Sequence, residues 1–293
     1  MTPMRPLRWL TVVLTAATAV LLTTAGPAAA HAGGLVATDA RSRVVTVTPA
    51  VPGLTVTAIE DGARLRLTNR TPGPVTVTGR PGVVAPGDTL TWADPSFTPE
   101  GKKIASGRTQ DWTLTLDAGG TAVTVSGILI GERPPDPWPW WALAIVAAVA
   151  IPVIARRLHR GDLLLCAAGT VAMAASIGHV AGSTLAVESA PPLGTFLSAA
   201  GINLLAWPLI LGGAVTTLRG RPAGLLAVCA GAALTAVFVF PDVTAFHRAV
   251  LPFAGPAVAE RALVVLALGL GAGVAVAGAS VLRTLAQRAE AVA

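Results

Sequence analysis

Five long apolar segments fill the second half of the chain, and short charged loops separate them. They cover residues 140–155, 162–181, 193–218, 223–240 and 258–282. A helix needs about 20 apolar residues to cross the hydrocarbon core of a bilayer, so each segment spans that core or nearly does. Only 12% of the chain is charged, about half of what soluble domains carry. The pattern predicts an α-helical transmembrane bundle of about five helices at residues 142–283.

The charged residues between the apolar segments are unevenly distributed. Basic residues follow the first, third and fifth segments, namely Arg156, Arg157, Arg160, Arg219, Arg221, Arg283 and Arg288. The opposite loops carry Glu188, Asp242 and Arg248. Because positively charged loops stay in the cytoplasm, the odd-numbered segments are predicted to run inward. We therefore expect a multi-pass protein of the bacterial cell membrane, with an extracytoplasmic N-terminal domain and a cytoplasmic C-terminal tail at 284–293.

The N-terminus has the features of a secretory signal peptide. Arg5 and Arg8 precede an apolar run, and the small residues Ala28-Ala29-Ala30 follow it. This order is typical of a signal peptide at residues 1–30, whose cleavage after Ala30 would make His31 the first residue of the mature chain. The alternative is an uncleaved anchor helix.

Residues 31–133 alternate between polar and apolar side chains, which is typical of half-buried β-strands. Seven strands are predicted, at 44–48, 54–59, 63–68, 75–78, 89–92, 112–116 and 122–130. Turn residues such as Gly119-Gly120 separate them. We therefore predict an extracytoplasmic all-β domain, an immunoglobulin-like or cupredoxin-like sandwich. Its basic and acidic residues balance up to Asp136, so no nucleic-acid partner is expected.

Residues 134–141, rich in proline and tryptophan, connect this domain to the first apolar segment. Tryptophan gathers at the membrane–water interface, so we interpret the stretch as an interfacial hinge. An aromatic ligand platform is the alternative. Within the bundle, Cys166 and Cys229 are expected to be small core residues, with a thiol pair as the alternative. Four glycines of the last segment predict a face for close helix contact rather than a transport path: Gly269, Gly271, Gly273 and Gly278.

Three histidines are expected at the outer side: His31, His179 and His247. Histidine is a ligand for copper and zinc, and an N-terminal histidine can also bind copper through its amine. These residues lack the spacing of known metal motifs, and the sequence contains no nucleophile elbow, P-loop or paired carboxylates. A copper site is therefore a hypothesis, no other cofactor is expected, and we predict that the protein is not an enzyme. Glu260 and Arg261 are predicted to form an interfacial ion pair.

Several stretches resemble an uncharacterised family of bacterial membrane proteins with a signal peptide, an extracytoplasmic β-domain and a bundle of about five helices. They are HAGG at 31–34, PGLTV at 52–56, LRLTN at 65–69, PPDPWPWW at 134–141 and LPFAGP at 251–256. The resemblance implies this layout but no activity. Members of that family with a longer ectodomain carry a Trp-His-type stretch where this chain has Trp92-Ala93-Asp94. The missing histidine weakens a metal-binding role for this chain. His31-Ala32 is also similar to the mature start of periplasmic copper-carrier proteins.

Three functional hypotheses follow from the sequence. The first is a non-enzymatic envelope protein whose β-domain binds a partner or ligand, with the lipid bilayer and another envelope protein as its partners. The second is a copper-handling protein that uses His31 with His179 or His247. The third is a small-solute transporter, which the lack of charged residues in the middle of the apolar segments disfavours.

Overall fold

A computed structural model describes residues 32–79, 82–221 and 223–280. The predicted signal peptide at 1–30, His31 and the predicted tail at 284–293 lie outside these residues. The described chain consists of an N-terminal β-domain followed by a bundle of apolar helices, as the sequence predicts.

The β-domain has eight strands in two antiparallel sheets. They are β1 (Ala40–Thr48), β2 (Leu54–Ile59), β3 (Arg64–Asn69), β4 (Val75–Val77), β5 (Val83–Val84), β6 (Thr89–Trp92), β7 (Thr109–Ala118) and β8 (Thr121–Gly131). The larger, curled sheet has the order β1-β8-β7-β4-β5, and the smaller sheet has the order β2-β3-β6. All seven predicted strands are present, and β5, only two residues long, was not predicted. The domain is a curled half-barrel with a small second sheet, and its assignment as immunoglobulin-like or cupredoxin-like stays a prediction.

Strand alternation places one face of each sheet in a shared apolar core. In β3, Leu65 and Leu67 are completely buried, whereas Arg64 and Arg66 lie on the opposite face and stay partly exposed. The core consists of Leu54, Val56, Leu65, Leu67, Val75, Val77, Val84, Trp92, Phe97, Trp112, Leu116, Val123, Val125 and Leu129. The ring of Phe97 lies 6.2 Å from Trp92 and 5.5 Å from Trp112 between centroids. This core fixes both sheets in one domain.

The helices are α1 (Trp138–Arg157), α2 (Gly161–Leu185), α3 (Pro192–Ala200), α4 (Asn203–Leu218), α5 (Ala223–Val239) and α6 (Ala257–Ser280). A 3-10 helix, Phe240–Phe246, continues α5. Four helices of the described chain are long and apolar enough to cross a membrane, or five spans if α3 and α4 count as one. The expected count of about five therefore depends on this pair.

The third apolar segment departs from the prediction of a single helix at 193–218. It forms α3 and α4, which are bent by 69° relative to one another. Gly201, between them, has φ 47° and ψ −127°, a conformation that side chains other than glycine rarely adopt. A Cβ atom at this position would also lie 2.9 Å from the ring of Phe238. Hydropathy predicts the apolar length of such a segment but does not detect a backbone break inside it.

The glycines of α6 allow close helix packing, as the sequence predicts. A Cβ atom on Gly269 would lie 2.8 Å from the carbonyl oxygen of Ala144 in α1, and one on Gly278 would lie 2.4 Å from Cβ of Cys229 in α5. Cys166 and Cys229 are buried free thiols in one apolar cluster, which confirms their place as core residues.

The β-domain sits at one end of the bundle, which we call the outer end. β8 leads into α1, and α2 returns from the opposite end, so the loop at 186–191 and residues 240–256 lie at the outer end. The arginine-rich loops after α1 and α4 lie at the other end.

Candidate functional site

A buried cluster of ionisable side chains lies near the outer end of the bundle. His179 of α2 stands between two carboxylates, with Nδ1 2.6 Å from Oε1 of Glu260 and Nε2 3.2 Å from Oδ2 of Asp242. Glu260 is in the first turn of α6, and Asp242 is in the 3-10 helix after α5. All three residues are at most 4% exposed. The cluster therefore joins three separate elements through one imidazole ring.

Arg261 is buried beside this cluster but binds other groups. Its Nε donates to the carbonyl of Ala245 at 2.9 Å, and its Nη2 donates to the carbonyl of Arg248 at 2.8 Å. Its guanidinium also lies 5.9 Å from the ring centroid of Trp140. The predicted ion pair between Glu260 and Arg261 is therefore wrong. Adjacent residues on a helix point in different directions, and each of these two faces a different neighbouring element.

The opposite charges of the cluster balance, and its contacts hold neighbouring helices together. Carboxylates only accept hydrogen bonds, so a ring that donates from both nitrogens satisfies one oxygen of each acid, Oδ2 of Asp242 and Oε1 of Glu260. Oε2 of Glu260 is buried and has no hydrogen-bond partner among the described residues. With His179 and Arg261 cationic and the two acids anionic, the formal charges cancel. Such pairing reduces the large cost of burying charges in an apolar medium.

The structure separates the histidines of the copper hypothesis. Both ring nitrogens of His179 face carboxylates. Nε2 of His247 instead accepts a hydrogen bond from Nε1 of Trp141 at 3.2 Å. Within 32–79, 82–221 and 223–280, no group of three or more histidine, cysteine or acidic residues is placed to hold a metal ion. His31 lies outside these ranges, so the three-histidine site stays a prediction.

A second set of polar contacts fixes the β-domain to the outer end. Oε1 of Glu60, after β2, accepts hydrogen bonds from the backbone N–H groups of Glu188 and Ser189 at 3.0 and 2.9 Å. The other carboxylate oxygen forms an ion pair with Arg64. Arg64 also donates to Oγ of Ser189 at 2.7 Å and to the carbonyl of Gly33 at 2.8 Å. One buried carboxylate thus connects the β-domain to the loop between α2 and α3.

The backbone around Glu60 is strained. Glu60 and Asp61 both have φ 55°, in the left-handed region that disfavours residues with a Cβ atom. Gly62 follows at φ 88°, and a Cβ atom there would lie 2.5 Å from the backbone nitrogen of Ser42. Strain of this kind persists where surrounding contacts hold it in place. Here the contacts come from both sides: Glu188 and Ser189 of the bundle donate to Glu60, and Arg41 of β1 forms an ion pair with Asp61 at 3.0 Å.

Two further contacts strengthen the junction. Thr38 and Val250 exchange two backbone hydrogen bonds of 2.9 Å. Asp39 accepts from Nη1 of Arg248 at 2.5 Å and from the backbone N–H of Ala249 at 3.0 Å. The segment after residue 240 therefore supplies Asp242 to the buried cluster and residues 248–250 to the β-domain. One stretch of chain couples the two sets of contacts.

The β-domain also carries a solvent-facing cleft of about 490 Å³ beside the junction. β1 pairs only with β8 and β2 only with β3, so the facing edges of β1 and β2 are unpaired with each other. The cleft opens between them and is lined by Arg41, Arg43 and Thr57, with Glu188 of the bundle at its end. Arg41 forms an ion pair with Asp61 at 3.0 Å, whereas exposed Arg43 forms none with the described residues.

Sequence reasoning placed His179, Glu188, Asp242 and Glu260 on the outer side but did not pair them. The available signal was that all are ionisable and at similar depth on neighbouring segments. Glu60 was missed because it looks like one charge among many in a turn.

Comparisons of this chain with protein families, curated proteins and solved structures give no match. The resemblance to a family of bacterial membrane proteins therefore stays a prediction.

Proposed function

We propose that this chain is a non-enzymatic, multi-pass envelope protein whose β-domain binds an extracytoplasmic ligand or partner while fixed to its own membrane bundle. The contact of Glu60 with Glu188 and Ser189 carries this proposal. A domain on a flexible tether does not need a buried carboxylate against the loops of its anchor. A receptor that must present one surface at a fixed height above the membrane benefits from it.

The cleft between β1 and β2 is the proposed binding surface. Its volume lies within the range of roughly 300–1,000 Å³ that small-ligand sites occupy. Its lining combines the guanidinium of Arg43, which forms no ion pair with the described residues, with the hydroxyl of Thr57 and the unpaired strand edges. These groups suit a polar ligand or an extended peptide that adds to a strand edge.

Photocrosslinking in intact cells tests this proposal. A photoreactive amino acid replaces Arg43 or Thr57 in the cleft, and matched variants carry it at Thr113 or Thr115 on the exposed face of β7. We expect one discrete adduct, of the same added mass, from the two cleft positions only. Equal labelling from both surfaces, or no adduct from the cleft, would contradict it.

A specific observation keeps copper handling as a second candidate. Ala32 and Leu35 are buried in a cluster with Val180, the residue that follows His179. The residue next to the predicted mature N-terminus is therefore buried in the same apolar cluster as the helical neighbour of His179. In this alternative a copper ion would replace one carboxylate at His179. Copper binding by the full mature protein, with its N-terminus verified by mass spectrometry, tests it: loss of binding in His31→Ala supports it, and no binding by the unaltered protein rejects it.

A further inference from the structure

Near the break between α3 and α4, polar side chains are buried in the bundle without hydrogen-bond partners among the described residues. Hydroxyls in membrane helices usually donate to the carbonyl four residues earlier in the same helix, so they need no partner from another helix. Six hydroxyls do so here, those of Thr170, Ser183, Thr184, Thr195, Thr216 and Thr217. Thr235 of α5 is completely buried, yet its Oγ1 has no hydrogen-bond partner among the described residues.

Asn203, the first residue of α4, is the second unusual group. It is 0% exposed, and neither its Oδ1 nor its Nδ2 has a hydrogen-bond partner in the described chain. Asn69, the other asparagine of the protein, is just as buried but fully bonded. Its Nδ2 donates to the carbonyls of Gly73 and Val84, and its Oδ1 accepts from Thr71. A buried amide without hydrogen-bond partners is unfavourable, because it has lost its bonds to water and gained none in the protein.

The register of α4 against α5 places Asn203 level with Thr235. A Cβ atom on Gly231 of α5 would lie 2.8 Å from the carbonyl oxygen of Ala206, and one on Gly201 would lie 2.9 Å from the ring of Phe238. Asn203 lies between Gly201 and Ala206, and Thr235 lies between Gly231 and Phe238. The two groups therefore occupy the same level of an antiparallel helix pair.

The break adds backbone acceptors at this level. The N–H of Gly201 donates to the carbonyl of Leu197, and the N–H of Leu204 donates to the carbonyl of Gly201. No backbone N–H of the described residues in the break reaches the carbonyls of Ala199 or Ala200. Broken helices inside membrane bundles are tolerated where they line a polar site, because a ligand or water then satisfies the freed groups.

We propose that this break is a binding site for a small, neutral molecule that both donates and accepts hydrogen bonds, with water as its simplest occupant. The side chains of Asn203 and Thr235 offer donors and acceptors without formal charge, so they match a neutral dipolar ligand better than an ion. Water needs two to four polar partners in a buried site, and Oδ1 and Nδ2 of Asn203 with Oγ1 of Thr235 offer three.

Nuclear magnetic resonance of the full chain, labelled only at the asparagine side-chain nitrogens, tests the site with water as the probe. Because the protein has only two asparagines, the spectrum has one test group and one internal control. We expect cross-relaxation between long-lived water and the amide protons of Asn203 and none for Asn69. The variant Asn203→Gln assigns the signals by removing one pair.

Two valine variants separate a bound water from simple packing. Thr235→Val removes one proposed ligand and is expected to abolish the water signal at Asn203. Thr217→Val removes a hydroxyl already bonded to Gly213 and is expected to leave it intact. No water signal at Asn203 in the unaltered protein would overturn the proposal, as would a signal that Thr235→Val leaves unchanged.

Discussion

The β-domain and the helix bundle bury different kinds of side chain. The buried polar side chains of the described β-domain are uncharged (Thr38, Ser42, Asn69 and Thr71), except for the acid Glu60 at its junction with the bundle. The outer part of the bundle instead buries His179, Asp242, Glu260 and Arg261. Apolar burial drives folding in water, but it supplies little between helices that already lie in lipid. Polar pairing and close packing must then determine which helix faces meet.

The largest expected effect is at the buried cluster. Glu260→Ala leaves His179 and Arg261 in an apolar environment with one balancing acid, and breaking a buried ion pair costs about 3–5 kcal/mol. We expect a marked fall in the thermal unfolding midpoint of the detergent-solubilised chain. Glu100→Ala, at an exposed acid of the β-domain, is the control. If the two variants unfolded alike, the cluster would have no structural role.

The matching change in the other region is Leu67→Ala. Removing a completely buried leucine side chain costs about 2–5 kcal/mol, and here the loss is apolar. Hydrogen exchange should become faster in β2, β3 and β6, while α2 and α5 keep their protection. Val45→Ala, at an exposed position of β1, should change little. An equal increase in hydrogen exchange in α2 and α5 would show that the two regions do not have separate cores.

The junction is expected to be intermediate. Glu60→Ala removes the acceptor from two backbone N–H groups, and leaving a buried donor unsatisfied costs about 1–3 kcal/mol. The amides of Glu188 and Ser189 should therefore exchange roughly 5–150-fold faster. Glu100→Ala provides an exposed control in the same domain. Unchanged exchange at both amides would show that Glu60 does not hold the loop of Glu188 and Ser189 against the β-domain.

The smallest effect is expected at an exposed pair of the same junction. Nη1 of Arg66 lies 3.3 Å from Oε2 of Glu188, its Nη2 donates to the carbonyl of Glu188 at 2.9 Å, and both side chains are accessible to solvent. Such pairs contribute about 0–1 kcal/mol. Arg66→Ala should thus leave the unfolding midpoint almost unchanged. A loss as large as that of Glu60→Ala would show that exposed charge, rather than the buried carboxylate, holds the domains together.

The sequence predicts local periodicity well and long-range pairing poorly. Strand alternation gave seven strands, and apolar length gave the helices, because both patterns are set by neighbouring residues. The break at Gly201 depends on one backbone conformation, which hydropathy does not record. The partners of His179 come from segments more than 60 residues away, so their pairing depends on helix packing. Glu60 likewise gains its role only when the β-domain meets the loop at Glu188.

The central claim is that the β-domain is fixed to the outer end of the bundle, on the extracytoplasmic side. Thr38 and Val250 form a hydrogen-bonded antiparallel pair, in which Cα atoms lie about 5.5 Å apart, within the range of a disulfide. We would introduce Thr38→Cys and Val250→Cys into a chain carrying Cys166→Ala and Cys229→Ala, and treat intact cells with an oxidant that does not cross the membrane. The account predicts an intrachain disulfide, and none when Thr113→Cys replaces Val250→Cys, because Thr113 is level with Thr46 at the far end of β1. Absence of the disulfide in the first chain, or its formation only after the cells are broken, would contradict it.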